Sequence, residues 1–326
     1  MSAPFIQVKN LKKYFETRKG PLHAVDDVSF DIRKGETLGL VGESGCGKST
    51  TGRAVIRLLE PSSGQVLFDG KDILLPPRRE MKAMRSKMQM VFQDPYSSLN
   101  PRLCVADLIA EPLEVKKVGT PADRAKRVRE LADIVGLSKS LESAYPHELD
   151  GGRRQRVGIA RALALNPEFI VLDEPVSALD VCIQAQVLNL LDTLQKEMGL
   201  TYLFISHDLS VVHHVSDRIA VMYLGRIVEM ADYKTIFSNP VHAYTKALLS
   251  AITIPKPNLN RKRLILEGDV PSPINPPAGC RFAGRCYYNK VEACTCQTPE
   301  LKEVAPGHFV ACHLADTVMA ADLSGK

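Results

Sequence analysis

Eight consecutive residues, Gly42-Glu43-Ser44-Gly45-Cys46-Gly47-Lys48-Ser49, match the pattern G-x-x-x-x-G-K-[ST], and Thr50 follows. The glycines let the backbone turn so that successive N–H groups face an anion. The run lies between an apolar strand pattern over 36–43 and a helix pattern over 47–60. The helix therefore brings its positive N-terminal end to the same point. Lys48 supplies a point charge for the β- and γ-phosphates of a nucleoside triphosphate, and the Ser49 hydroxyl is placed for Mg²⁺. A chance glycine turn is the plain alternative, and the strand–loop–helix order argues against it. Cys46 is then a small loop residue and not a nucleophile.

A second group stands at Phe169-Ile170-Val171-Leu172-Asp173-Glu174. An apolar strand delivers two adjacent carboxylates at its C-terminal edge. Asp173 can hold Mg²⁺ through water, and Glu174 can orient and polarise an attacking water. Alone, this could be an ordinary acidic strand end. The phosphate loop upstream makes it a reaction site.

The elements that must position these groups alternate. Strand patterns occur at 5–11, 28–32, 36–43, 65–68, 88–93, 169–174 and 201–206. Residues 219–230 read as a hairpin around Gly225. This alternation predicts an α/β domain with a largely parallel sheet. Residues of about 95–155 differ: they carry helical patterns, notably 123–137, with no clear strand beyond 100, and are expected to be a helical insert. The first domain is placed at 1–253. A linker follows at 254–279, holding Pro255, Pro257, Pro271, Pro273, Pro276 and Pro277. The remainder, 280–326, is a small Cys-rich domain.

Composition bounds the partners. The 326 residues include 42 Lys+Arg and 37 Asp+Glu, a net charge of +5, and 45% are hydrophobic. The length suits roughly two domains at ~150 residues each. The chain is too apolar and too evenly charged for intrinsic disorder. The mild positive charge is weak support for nucleic acid or anionic lipid. No stretch approaches the ~18 apolar residues of a membrane span, and the start lacks a signal-peptide pattern. A soluble protein that stays in the cytosol is expected.

Eight cysteines are present, and five of them, Cys280, Cys286, Cys294, Cys296 and Cys312, crowd the last 47 residues. Such clustering fits a metal or iron–sulfur site better than a secreted disulfide scaffold.

Further motifs follow in order: Gln93 within MVFQDPYSSLNP, Leu149-Asp150-Gly151-Gly152-Arg153-Arg154-Gln155-Arg156, Ser177-Ala178-Leu179-Asp180, and His207 within FISHDLS. Each alone has a plain reading; Ser177 and Asp180, for instance, could simply cap the next helix. As an ordered set, over about 5–250, they resemble the ATP-binding cassette (ABC) ATPases. The resemblance implies an α/β phosphate-loop NTPase core with a mixed sheet and a helical subdomain. It implies that Gln93 reaches metal and attacking water, that Glu174 is the base and that His207 senses the γ-phosphate. Phe15 stands where the family stacks an aromatic on adenine, with Tyr14 beside it as an alternative. Asp150, Gly151, Gly152 and Asp180 would meet the nucleotide of a second subunit, so that ATP is shared across a dimer.

The signature departs from the usual LSGGQ: Asp150 replaces Ser and Arg153 replaces Gln. Asp is a good N-cap. Yet a carboxylate facing a phosphate is repelled by up to ~4 kcal/mol at 4 Å and an effective dielectric of 20. Arg153 could offset this. The expectation is a heterodimer with unequal sites.

The stretches HAYTKALLSA, GDVPSP, PPAGCRF and RC resemble the C-terminal end of ATPases from peptide/nickel importers, closest to the second ATPase of the dipeptide/oligopeptide pair. That implies four partners: a second ABC ATPase, two transmembrane permeases and an extracytoplasmic solute-binding protein. No nucleic-acid partner is implied. The place would be the cytoplasmic face of the cell membrane, as a peripheral protein. Nickel or another solute remains an alternative cargo. A regulatory subunit of low turnover and a soluble ABC ATPase of DNA repair or translation are the alternative functions. Cys280, Cys286, Cys294 and Cys312 offer four thiolates, with Cys296 as a substitute for Cys294. Their irregular spacing favours a [4Fe–4S] cluster over Zn²⁺, and the importer resemblance implies such a cluster. ATP and Mg²⁺ complete the expected cofactors.

Overall fold

The computed structural model describes residues 4–252, 264–288 and 290–324. Pro255 and Pro257 of the expected linker lie outside these. Among the described residues there are twelve strands: β1 (Ile6–Thr17), β2 (Gly20–Ile32), β3 (Thr37–Val41), β4 (Ser63–Phe68), β5 (Lys71–Asp72), β6 (Met88–Val91), β7 (Phe169–Asp173), β8 (Thr201–Ser206), β9 (Arg218–Tyr223), β10 (Arg226–Asp232), β11 (Lys302–Ala305) and β12 (His308–Val310). The chain forms two compact units.

One unit comprises Ile32–Glu36 and Asp72–Ile205. Here β6, β7 and β8 run parallel, with Met88 opposite Phe169, and Phe169 opposite Thr201. Every residue of β7 and β8 is buried. That explains their unbroken apolar sequences, since a parallel strand covered on both faces has no polar side. The helices of the insert include Val105–Val115 and Pro121–Ile134. The second begins at a capping box between Thr120 and Asp123, with Pro121 in its first turn. It stops before Gly136, which takes a left-handed φ of 69°. The sequence pattern had extended it three residues too far.

The other unit comprises Pro4–Asp31, Thr37–Lys71 and Ser206–Lys326. Strands β2, β1 and β4 lie side by side, β1 pairing antiparallel with β4 from Ile6–Phe68 to Lys12–Ser63. A second sheet has β3 parallel to β9, and β9 in an antiparallel hairpin with β10. The Cys-rich tail continues this sheet: β12 pairs antiparallel with β10, and β11 with β12. Val241, Val310 and Ala315 form a small core there, with Val304, Val318 and Met319 packed against it. The tail is thus built onto the hairpin.

The described end of the Pro-rich segment is anchored. Ile274 bridges Leu22, and the His23 N–H donates to the Pro273 carbonyl at 3.0 Å. Beneath the tail, Glu229 is fully buried and accepts from the N–H groups of Val241 (2.7 Å) and His242 (3.0 Å). It also meets His308 Nε2 at 2.7 Å.

Candidate functional site

The phosphate loop leaves the buried strand β3 and enters a helix at Lys48–Val55. Gly47, at the N-cap, has φ 107°, a conformation that side chains rarely adopt. A Cβ there would stand 2.0 Å from the Ala24 carbonyl oxygen. At Gly42 a Cβ would stand 2.1 Å from the Met222 carbonyl oxygen. The glycines therefore serve both turn and packing. Ser44 and Gly45 are exposed, whereas Ser49 and Thr50 are half-buried in the first helical turn.

Lys48 is buried, with Nζ donating to the carbonyls of Gly42 (2.8 Å) and Glu43 (3.0 Å). It closes the loop around itself; a phosphate offers the same ammonium stronger, charge-assisted acceptors. The Glu43 N–H donates to the Tyr244 hydroxyl at 2.8 Å, and the Gly225 N–H to the Cys46 carbonyl at 2.8 Å. Burial pushes the Cys46 thiol up, against the pull of Lys48. A protonated buried thiol is a packing group, as the sequence had it.

In the other unit, β7 ends on Asp173, which is fully buried. Glu174 follows with φ 46° and is half-buried. A non-glycine residue in this left-handed region costs about 1–2 kcal/mol. The turn is held by the Glu174 N–H donating to Ile205 O at 2.9 Å and by Ser177 Oγ donating to Glu174 O at 3.1 Å. Strain of this kind at a strand end characterises a positioned side chain. Gln93 Nε2 donates to Glu174 Oε2 at 2.8 Å. Two residues 81 apart in sequence are thereby joined. The bond holds the carboxylate in place.

The signature residues sit at a helix start. Asp150 caps the helix Gly151–Leu163, accepting from the Arg153 N–H at 2.7 Å. Arg153 Nε also stands 3.4 Å from Asp150 Oδ2, both side chains being more than half exposed. The arginine stands beside the carboxylate, and an exposed pair of this kind is worth only ~0–1 kcal/mol. Asp180 likewise caps Val181–Met198, accepting from the Ile183 N–H at 3.0 Å.

His207 is exposed, between β8 and a helix at Leu209–Val215. Phe15 is exposed at 38%, with Lys13 Nζ 5.0 Å above its ring. Tyr14 is engaged elsewhere: its ring stacks on His23 at 4.1 Å and its hydroxyl bonds Asp26. Burial, reinforced by that carboxylate, raises the tyrosine's pKa. Of the two aromatics, Phe15 is exposed and Tyr14 half-buried.

Among the described residues no group of three or more His, Cys, Asp or Glu is placed to hold a metal ion. All eight cysteines are free. Burial, followed by smaller contributions that include the charges of Cys312, Cys286 and Cys294, pushes the Cys280 thiol up to about 11. Cys286 and Cys312 are raised by burial first and by neighbouring cysteines as well. Cys294 is buried and its carbonyl accepts from the Cys280 N–H at 2.9 Å, whereas Cys296 is exposed.

Sequence reasoning assigned no site role to Arg281, Arg285 or Tyr244. All three lie in the stretches that carried the importer resemblance, so the signal was present without a function attached.

Two family profiles match: "ABC transporter" over residues 25–177, and "Oligopeptide/dipeptide transporter, C-terminal region" over 228–294. The oligopeptide transport ATP-binding protein AppF of Bacillus subtilis is 53% identical over 319 residues, covering 95% of this chain and 97% of the relative. This chain belongs to the ABC transporter ATP-binding proteins. OppF of the same organism is 53% identical over 318 residues, covering 97% and 98%. Among solved structures, the ABC cassette MJ0796, a dimer bound to ADP and Pi after hydrolysis, is similar at a TM-score of 0.65 and 31% identity, covering 70% of this chain and 98% of that one. The protein is therefore an ABC ATPase. Among the described residues, no helix is long and apolar enough to cross a membrane.

Proposed function

We propose that this ABC ATPase powers the import of peptides through a membrane transporter. The observation that carries the reading is the likeness to AppF and OppF, named oligopeptide transport ATP-binding proteins, over nearly the whole chain, tail included.

The chemistry is attack of water on the γ-phosphorus. Glu174 accepts a proton from the water as its oxygen bonds to phosphorus. The bond from phosphorus to the bridging oxygen breaks, and its electron pair leaves on ADP. Gln93 holds the Glu174 carboxylate for this. Lys48 and the N–H groups of residues 42–50 bind the phosphates, and Phe15 stacks on the base. Ser49, Asp173 and Gln93 would hold Mg²⁺, which neutralises phosphate charge. His207 responds to the γ-phosphate. Asp150, Gly151, Gly152 and Asp180 serve the nucleotide of a second ATPase in a heterodimer.

The remaining partners are two permeases and an extracytoplasmic solute-binding protein, with this chain at the cytoplasmic membrane face. Reconstitution with those chains tests the cargo. Peptide-loaded binding protein is expected to stimulate ATP hydrolysis and peptide uptake; stimulation by a nickel chelate alone would shift the assignment. A regulatory role with low turnover is a second reading, favoured by Asp150 at the signature.

A [4Fe–4S] centre on Cys280, Cys286, Cys294 and Cys312 rests on their spacing and on the importer resemblance alone, since among the described residues these thiols are not gathered as a metal site. The exposure of Cys296 favours Cys294 as the ligand. Anaerobic protein is expected to contain iron and sulfide and to absorb visible light. Colourless protein with one zinc would favour Zn²⁺ instead.

A further inference from the structure

The Cys-rich tail places Arg285 against the phosphate loop and Arg281 against the Leu224 turn beside it. Arg285 Nη1 lies 3.1 Å from Glu43 Oε2 and 3.3 Å from Oε1, with the arginine side chain 11% exposed. Glu43 is the second residue of the loop, and its own N–H is bonded to Tyr244. Arg281 is buried and donates to the Leu224 carbonyl and to Asp26. Asp26 in turn accepts from Arg226 Nη2 at 3.1 Å. The next residue after Leu224, Gly225, gives its N–H to Cys46 of the loop. Between the arginines, Phe282 is buried against the rings of Tyr223 (5.2 Å) and Tyr244 (5.5 Å). The segment 281–285 thus reaches the loop by three routes: a charge pair, a turn and an aromatic support.

The electrostatics give this arrangement a role. Glu43 places a carboxylate in a loop whose ligand is a polyanion. Unpaired, it would repel the phosphates; paired with Arg285, it presents no net charge. We propose that Arg285 is a positioning residue for nucleotide binding, which neutralises Glu43 and makes the affinity of the phosphate loop dependent on the folded tail. One nitrogen contacts both carboxylate oxygens, so a lysine ammonium can replace it.

The inference rests on residues 42–50 being the ATP site. It is tested by measuring ATP affinity of the full chain for R285A, R285K and E43Q/R285A, and KM against kcat in the assembled transporter. R285A is expected to bind ATP about tenfold more weakly, equivalent to ~1.4 kcal/mol. Its KM should rise with kcat little changed, as for a group that acts on binding alone. R285K and E43Q/R285A should both return to within about threefold of the native affinity, the first by restoring the charge and the second by removing the repulsion. Native affinity in R285A would overturn the inference. So would a folded double variant as weak as R285A, which would show a structural loss. If R285A does not fold, a folded R285K with affinity lowered tenfold overturns it equally. Failure of the native chain to bind ATP would instead remove the assignment of the loop itself.

Discussion

Gln93 and Glu174 are joined by one hydrogen bond, Nε2 to Oε2, at 2.8 Å. The donor follows β6 and the acceptor follows the adjacent strand β7. The parallel register therefore brings both strand ends, and both side chains, to one edge. Gln93→Ala should remove this hold on the Glu174 side chain. A hydrogen bond to a charged group is worth ~1.5 kcal/mol, so kcat should fall about tenfold. Steady-state ATPase in the assembled transporter checks this.

At the signature, the paired charges of Asp150 and Arg153 replace two neutral residues. The pair is exposed and weak, so the carboxylate remains a repulsive group at the head of its helix. The double change D150S/R153Q keeps an N-cap through Ser. ATPase of the assembled transporter should rise by about threefold or more. Unchanged turnover would show that Asp150 acts only as a cap.

Stability should depend on pH through His242. The residue is 2% exposed, and burial holds its pKa down to about 4, against the smaller upward pull of Glu229. The unfolded chain titrates near 6.5. Between these values the unfolded state binds the proton and the folded state does not, so acid favours unfolding. The contribution, roughly 3 kcal/mol, is complete above about pH 6.5 and is lost as pH falls toward 4. Urea unfolding at several pH values should show this slope. His242→Asn, which keeps an N-cap acceptor for Ala243–Ala251, should flatten it.

Much of this was legible in the sequence because the relevant signals are local. The glycines of the loop, the unbroken apolar run of β7 and the turn at Gly225 each state their conformation within a few residues. The family resemblance implied only that Gln93 reaches metal and attacking water; its bond to Glu174 was not legible, because register between strands is a tertiary property. Two features escaped for the same reason. The tail was expected as a separate domain after a linker, but β12 pairs with β10, and Pro273 accepts a hydrogen bond from His23. Nothing in the spacing of Pro or Cys encodes a partner strand. Likewise, Arg285 and Glu43 are 242 residues apart, and only folding makes them a pair. The contacts of Tyr14 with Asp26 and His23 were likewise invisible in the sequence.

The central claim is that Glu174 is the proton acceptor in ATP hydrolysis. The most direct measurement is ATP turnover by Glu174→Gln in the assembled transporter, alongside ATP affinity. The amide preserves size and a hydrogen-bonding partner for Gln93 but cannot take a proton. Turnover should drop by about 10²- to 10⁴-fold while ATP still binds. A variant that hydrolyses ATP at the native rate would contradict the account.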